Sequence, residues 1–319
     1  MVNVLLQARQ IKKHFPIQTG IMKGVSGYVR AVDGVSFDVE SGKTFGLVGE
    51  SGCGKSTLGR VILGLMKPTS GSVHYNGRNI FEMKRKETHE LRHQIQVVFQ
   101  DPESSLNPRL TTGSTLSEAL RVSNQKATRD RIITLMRLVG LDAEHIDRYP
   151  HELSGGQKQR VGVARALAVN PEFIVADEPV SALDVSIRAQ ILNLMVELQD
   201  QLKLTYLFIS HDLSVVQYIS DEVAVMYLGR IVEQAPVDAL YNSPKHPYTQ
   251  ALLSAIPNPD PDAKQQRIIL SGDVASPIHI PTGCRFHTRC PCAVSKCREV
   301  EPEFRRIGQN HYVACHLAS

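Results

Sequence analysis

Apolar residues are spaced along this chain in two rhythms. From Val29 to Val48 β-branched residues alternate with polar ones, the period-two mark of strands with one covered face. Phe45-Gly46-Leu47-Val48 closes that stretch as an unbroken apolar run that stops at Gly49, as a buried strand feeding a loop does. The rhythm then becomes helical, with Leu58, Val61, Ile62, Leu65 and Met66 on one predicted inward face and a stop before Pro68. Pro68-Thr69-Ser70-Gly71 predicts a turn into a strand pair hinged at Asn76-Gly77. From about Arg85 to Asn170 the chain is charged and helix-forming, which predicts a helical subdomain over about residues 85–165. Strand signals return at Phe173 to Ala176 and Tyr206 to Ile209. Between them Ile187, Ile191, Leu194, Met195, Leu198 and Leu202 form a helical face. Apolar strands alternating with helices predict an α/β fold around a mainly parallel sheet, with an antiparallel β portion beside it. After about Val237 the pattern weakens, and Pro257-Asn258-Pro259-Asp260-Pro261-Asp262 reads as a stiff polar linker into a tail. No internal repeat is visible, so a single unit of this kind per chain is expected.

Chemistry enters at the loop after the first buried run. Gly49-Glu50-Ser51-Gly52-Cys53-Gly54-Lys55-Ser56, with Thr57 behind it, fits the phosphate-loop spacing and lies between a predicted strand and a predicted helix. The glycines let successive backbone N–H groups and the helix N-terminus face phosphates, Lys55 would reach the β and γ oxygens, and Ser56 would ligate Mg²⁺. Cys53 reads as a small loop residue rather than a reactive thiol. The later strand ends in two adjacent acids, Asp177 and Glu178, followed by Pro179. Neighbouring carboxylates repel each other, so a cation or a task is needed to keep them there. Asp177 is the expected partner of Mg²⁺, and Glu178 the expected base that polarises an attacking water. These features predict a P-loop NTPase with Mg²⁺ and do not yet fix which kind.

Leu153-Ser154-Gly155-Gly156-Gln157-Lys158-Gln159-Arg160 opens another helix, and a Ser-Gly-Gly turn at a helix N-terminus is a second anion site. One nucleotide in one domain does not need two, so the turn is expected to meet the γ-phosphate of an ATP held by another subunit. Here the chain resembles the ABC ATPase family over about residues 5–240. The resemblance implies a head-to-tail dimer with two ATP molecules between one chain's phosphate loop and the other's Ser154–Gln157 turn. It also implies roles for Gln100, touching Mg²⁺ and the water, for Asp184 in the loop Ser181-Ala182-Leu183-Asp184 that crosses the interface, and for His211 at the γ-phosphate. Asp184 is also suited to cap the next helix. For the aromatic that stacks on adenine, Phe15 matches by order, but a long insertion from Pro16 to Gly27 leaves Tyr28 a rival.

Three further segments resemble the oligopeptide and dipeptide importer ATPases, closer to the second, F-type, member of their unlike pair. They are Phe99-Gln100-Asp101-Pro102 with Ser105-Leu106-Asn107-Pro108-Arg109, then Ala176 to Ser186, and His246-Pro247-Tyr248-Thr249-Gln250-Ala251-Leu252-Leu253. The resemblance implies an ATP-binding domain over residues 1–240 and a transporter-specific extension over 241–319. It also implies a heterodimer with a second ATPase subunit, two permease subunits and, indirectly, an external peptide-binding protein, at the cytoplasmic face of the cell membrane. Short cytoplasmic helices of the permeases are expected to dock in a groove between about Asp101 and Arg160. Relatives in this branch also carry nickel, glutathione or antimicrobial peptides.

Of six cysteines one is Cys53 and five lie between Cys284 and Cys315. The set Cys284, Cys290, Cys297 and Cys315 resembles the tail of the same branch, for which a [4Fe-4S] cluster is the implied occupant. Four thiolates suit either that cluster or Zn²⁺, and reduced, unligated cysteines are the third alternative. Structural zinc sites favour ligand pairs about two to four residues apart, and Cys290-Pro291 echoes the Cys-Pro of ferredoxin runs, so spacing leans to the cluster. Cys292 is a fifth thiol beside the set.

Bulk properties add exclusions. No window reaches about 18 consecutive apolar residues and the N-terminus lacks a small-residue cleavage site, so neither a membrane span nor a cleaved signal is expected. A net charge of +4 over 319 residues is too mild to argue for nucleic acid. A soluble ABC ATPase working on nucleic acid would need a long coiled coil or two cassettes in one chain, and neither is seen. A non-hydrolysing regulatory module would not be expected to keep Gln100, Glu178 and His211. An exporter ATPase would lack the segment from His246 and the cysteine tail.

Overall fold

The expected strands that cannot alternate, because both their faces are covered, are the ones most completely buried. The computed structural model describes residues 3–19, 24–257, 267–273 and 275–318. In chain order the first elements are β1 (Val4–Thr19), β2 (Gly24–Glu40), β3 (Thr44–Val48), α1 (Lys55–Ile62), β4 (Ser70–Tyr75) and β5 (Arg78–Asn79). Then come α2 (Arg85–Gln94), β6 (Ile95–Val98), α3 (Pro102–Ser105), α4 (Thr112–Val122), α5 (Arg129–Leu138) and α6 (Gly155–Leu167). They are followed by β7 (Phe173–Asp177), α7 (Val185–Leu202), β8 (Thr205–Ser210), α8 (Leu213–Ile219), β9 (Glu222–Tyr227) and β10 (Arg230–Pro236). The last are α9 (Val237–Asn242), α10 (Pro247–Ser254), α11 (Ser295–Glu299), β11 (Arg305–Gly308) and β12 (His311–Val313). The expected linker from Asn258 to Asp262 lies outside the described residues.

These elements form two compact units. One is built from Glu40–Lys43 and Glu82–Phe208. Its strands β6 and β7 pair in parallel, Ile95 opposite Phe173 and Val98 opposite Ala176. Its helices gather on α6, against which α3, α4, α5 and α7 all pack. Four of the buried residues of α6, Gly156, Gly162, Ala164 and Ala166, are small, which helps it accept several neighbours. Side-chain oxygens close the helix starts: Thr111 accepts from the Ser114 N–H at 3.2 Å and Ser154 from the Gln157 N–H at 3.3 Å.

The other unit comprises Val2–Val39, Thr44–Phe81 and Ile209–Ser319. Here β3 pairs in parallel with β9, while β9 with β10, β10 with β12, and β12 with β11 pair antiparallel. A second sheet has the order β2-β1-β4-β5, with β1 and β4 antiparallel. Helix α1 packs against β1 of the second sheet and buries Leu58, Val61 and Ile62 completely. Each such side chain contributes about 1.5–3 kcal/mol.

Several expectations are corrected. Helix α1 ends at Ile62 because Gly64 turns the chain at φ +68°, which leaves Leu65 62% exposed instead of inward-facing. Leu202 is likewise exposed at the end of α7. The segment from Pro16 to Gly27 is no separate insertion in its described residues: they continue the long strands β1 and β2. The tail adds β11 and β12 to the edge of β10, where sequence pattern alone predicts only a weakly structured extension.

Candidate active site

The phosphate loop runs from the buried end of β3 into α1, in the second unit. Its path needs glycine at two points. Gly49 has φ +154° with a hypothetical Cβ 2.2 Å from the Met226 carbonyl oxygen, and Gly54 has φ +110° with one 2.0 Å from that of Ala31. Lys55 is buried, and its Nζ donates to the carbonyls of Gly49 at 2.7 Å and Glu50 at 3.1 Å. Ser51 and Gly52 are exposed, and Ser56 and Thr57 half-buried at the start of α1. Cys53 is buried, and burial pushes its thiol pKa up, which fits an inert loop residue. In the same unit Phe15 is half-buried under the Lys13 ammonium, 5.2 Å from its ring centre, while Tyr28 is 51% exposed. His211 follows β8 directly and is exposed, one residue before the Asp212 that caps α8.

In the first unit, Asp177 ends β7 and Glu178 follows it with φ +49°, in the left-handed region that non-glycine residues seldom adopt. Gln100, exposed just beyond β6, donates from Nε2 to Glu178 Oε2 at 3.2 Å. The sequence-predicted pair at the ends of neighbouring strands is thus joined by a hydrogen bond. The Ser154–Gln157 turn forms a reciprocal cap, in which the Ser154 N–H also donates to Gln157 Oε1 at 2.9 Å. Gln157 Nε2 meets His145 Nε2 at 3.0 Å. Gly156 is pressed against Ile187 of α7 so closely that a Cβ would lie 2.5 Å from Ile187 Cγ2. Asp184 stands at the N-cap of α7, but its side chain makes no capping hydrogen bond, so the expected capping role is not met. An open groove lies among Leu110, Ser114, Ser117, Arg121, Ile132 and Ile146.

The tail cysteines lie near one another without forming a recognisable metal centre. The Cys284 N–H donates to the Cys297 carbonyl at 2.8 Å. Burial first, then the neighbouring Cys297, Cys315 and Cys290, lift the Cys284 thiol to about 11. Cys292 is exposed. Among the described residues no group of three or more His, Cys, Asp or Glu side chains is arranged to hold a metal, so this geometry does not support the expected cluster or zinc site. Sequence reasoning also missed Arg289, whose guanidinium bonds the Glu50 carboxylate of the phosphate loop. Its only sequence signal is its place between two cysteines. Among the described residues no helix is long and apolar enough to cross a membrane.

Comparison with known proteins follows the same division of the chain. Residues 32–181 match the ABC transporter family, and residues 232–297 match the oligopeptide/dipeptide transporter C-terminal region. The chain is 52% identical to the oligopeptide transport ATP-binding protein AppF of Bacillus subtilis, over 99% of this chain and 98% of that protein. It is 50% identical to the dipeptide transport ATP-binding protein DppF of Escherichia coli, over 98% and 93%. Among solved structures it is similar to cbiO1 of Clostridium perfringens, part of an ABC transporter complex, with TM-score 0.64 and 28% identity over 76% of this chain and 92% of that one. A dimeric ATP-binding cassette in a post-hydrolysis state with ADP and Pi gives TM-score 0.63 and 26% identity over 73% and 98%. A P-loop α/β cassette joined to the transporter-specific C-terminal region places the chain with these relatives: it is an ABC-type ATPase and belongs to the family of oligopeptide and dipeptide transport ATP-binding proteins.

Proposed function

We propose that this chain is the motor subunit of an importer for dipeptides and oligopeptides, working at the cytoplasmic face of the cell membrane with a second, unlike ATPase subunit and two permease subunits. The Gln100–Glu178 hydrogen bond carries the catalytic part of this reading, because it ties a water-polarising carboxylate to the segment that leads into the helical subdomain. ATP lies between the loop Gly49 to Thr57 of one subunit and the Ser154–Gln157 turn and Asp184 of its partner, with Phe15 or Tyr28 against the adenine. Lys55 balances charge on the γ-phosphate, His211 contacts it, and Glu178 accepts the proton of the attacking water. Mg²⁺ would be held by Ser56, Gln100 and Asp177, whose hard oxygen donors suit it, and would neutralise the phosphate oxygens. Residues 1–240 act as the ATP-binding domain and 241–319 as the extension. The groove between Leu110 and Ile146 supports docking of a permease helix within the stretch 101–160.

Replacing the base tests the assignment. Glu178→Gln should bind ATP as the parent does, accumulate the ATP-bound dimer, and hydrolyse at least about 100-fold more slowly. In vesicles carrying the co-purified permeases it should lose ATP-driven uptake of a labelled dipeptide. A variant that hydrolyses ATP at the parental rate refutes the role of Glu178.

A second reading concerns the tail. It rests on the sequence spacing of Cys284, Cys290, Cys297 and Cys315 and not on their geometry: a [4Fe-4S] cluster, with Zn²⁺ as the alternative, as a structural or docking element outside the ATPase core. Protein purified without oxygen should then absorb broadly near about 400 nm and carry stoichiometric iron and sulfide. Zinc without sulfide selects the alternative, and neither metal refutes both.

A further inference from the structure

Glu50, the second residue of the phosphate loop, is gripped from both ends by the C-terminal region. Its backbone N–H donates to the Tyr248 hydroxyl at 3.0 Å. Its carboxylate takes a two-pronged bond from Arg289, Nη1 to Oε2 at 2.8 Å and Nη2 to Oε1 at 3.2 Å. The Arg289 side chain is 10% exposed and that of Glu50 25%, so little solvent screens the pair. Paired charge-assisted bonds of this kind fix orientation as well as distance.

Both gripping residues are themselves anchored within the same unit. Phe286, 1% exposed, packs edge-on against Tyr227 at 5.3 Å and tilted against Tyr248 at 5.3 Å. The Arg289 N–H donates to the Phe286 carbonyl at 3.0 Å, which sets the arginine one turn from this aromatic anchor. Arg285, on the other side of Phe286, pairs with Asp33 and donates to the Leu228 carbonyl. The Gly229 N–H adds a third tie to the loop, at the Cys53 carbonyl 2.9 Å away. A loop with glycine at positions 49, 52 and 54 has little stiffness of its own, so external ties decide how much order it keeps.

Charge adds a second consequence. Glu50 places a carboxylate in a loop whose task is to receive a triphosphate, and an unpaired carboxylate there would repel it. Arg289 cancels that charge.

We propose that Arg289 and Tyr248 are positioning residues for ATP: the C-terminal region, beyond the ATPase core, holds the phosphate loop in its receiving shape and neutralises Glu50. This rests on the reading of residues 49–57 as the phosphate site. The test measures the dissociation constant of a fluorescent ATP analogue with Mg²⁺, together with KM and kcat, on the full-length chain. Arg289→Ala should weaken binding about tenfold and raise KM more than it lowers kcat. Tyr248→Phe, which loses only the hydroxyl, should weaken it about threefold. Adding Glu50→Gln to Arg289→Ala should restore most of the lost affinity, a rescue that a purely structural contact would not give. Arg289→Ala binding within about twofold of the parent, or a loss that Glu50→Gln does not reverse, overturns the proposal. If Lys55→Ala also keeps full affinity, the phosphate-site reading itself falls, which separates that failure from this one.

Discussion

Gly156 has two reasons to be glycine. In the sequence it belongs to a Ser-Gly-Gly turn whose N–H groups suit a phosphate. In the structure it is also buried, with the β-branched Ile187 of α7 pressed where a side chain would begin. The neighbouring Gly155 is different: a Cβ there would meet Leu183 Cδ2 at an ordinary 3.4 Å. Gly156→Ala should therefore cost about 1–3 kcal/mol, and Gly155→Ala markedly less. Because the clashing atom sits on the Cβ of Ile187, a rotamer change cannot remove it cheaply, and α6 and α7 must separate. Denaturant midpoints of the two variants check the ranking, and Gly156→Ala with Ile187→Ala should regain part of the loss. Equal stability of the two single variants would remove the steric argument. Glu178 makes the complementary point, because its φ of +49° is invisible in a sequence that shows only two adjacent acids.

Among the elements, legibility follows burial on both faces. Strands β3, β7 and β8 read directly from Phe45 to Val48, Phe173 to Ala176 and Tyr206 to Ile209, since runs covered on both faces need no phase. Strand β1 escapes because its buried residues Leu6, Ala8 and Ile11 change phase at a bulge between Arg9 and Lys12, with Gln10 at φ +47°. Helix α1 is overextended by periodicity, since Leu65 and Met66 continue the pattern after Gly64 has ended the backbone. Strands β11 and β12 are short and polar, with Arg305 and Arg306 exposed, and owe their pairing to the free edge of β10. For the candidate site, the residue types and their order were legible, as was the placing of Gln100 and His211 at strand ends. The grip of Arg289 and Tyr248 on Glu50 was not, because it joins positions 239 and 198 residues apart.

At the scale of the whole molecule, the transporter-specific region is built into the fold through a buried polar cluster that sets its acid stability. Glu233 is fully buried, and its carboxylate accepts from the N–H groups of Lys245 at 2.7 Å and His246 at 2.9 Å and meets His311 Nε2 at 2.8 Å. The His246 ring caps α10, its Nδ1 accepting from the Tyr248 N–H at 3.1 Å, with Phe286 5.6 Å away. Burial holds His246 down to about 3, against 6.5 for an ordinary histidine. Between those values the unfolded chain binds a proton that the folded one refuses. The stabilisation is thus complete above about pH 6.5 and drains away as pH falls toward 3, at about 1.4 kcal/mol per pH unit. His246→Asn keeps a capping oxygen for α10 but has nothing to titrate. Between pH 7.5 and 5.0 the parent should lose about 2 kcal/mol more than this variant, read from denaturant midpoints at each pH. Parallel pH profiles would mean that the histidine is protonated in the folded protein and that the cluster is open to water. A steeper parent profile would mark the C-terminal region as the acid-labile part of the molecule, and through Tyr248 and Arg289 the loss of that region would release the phosphate loop as well.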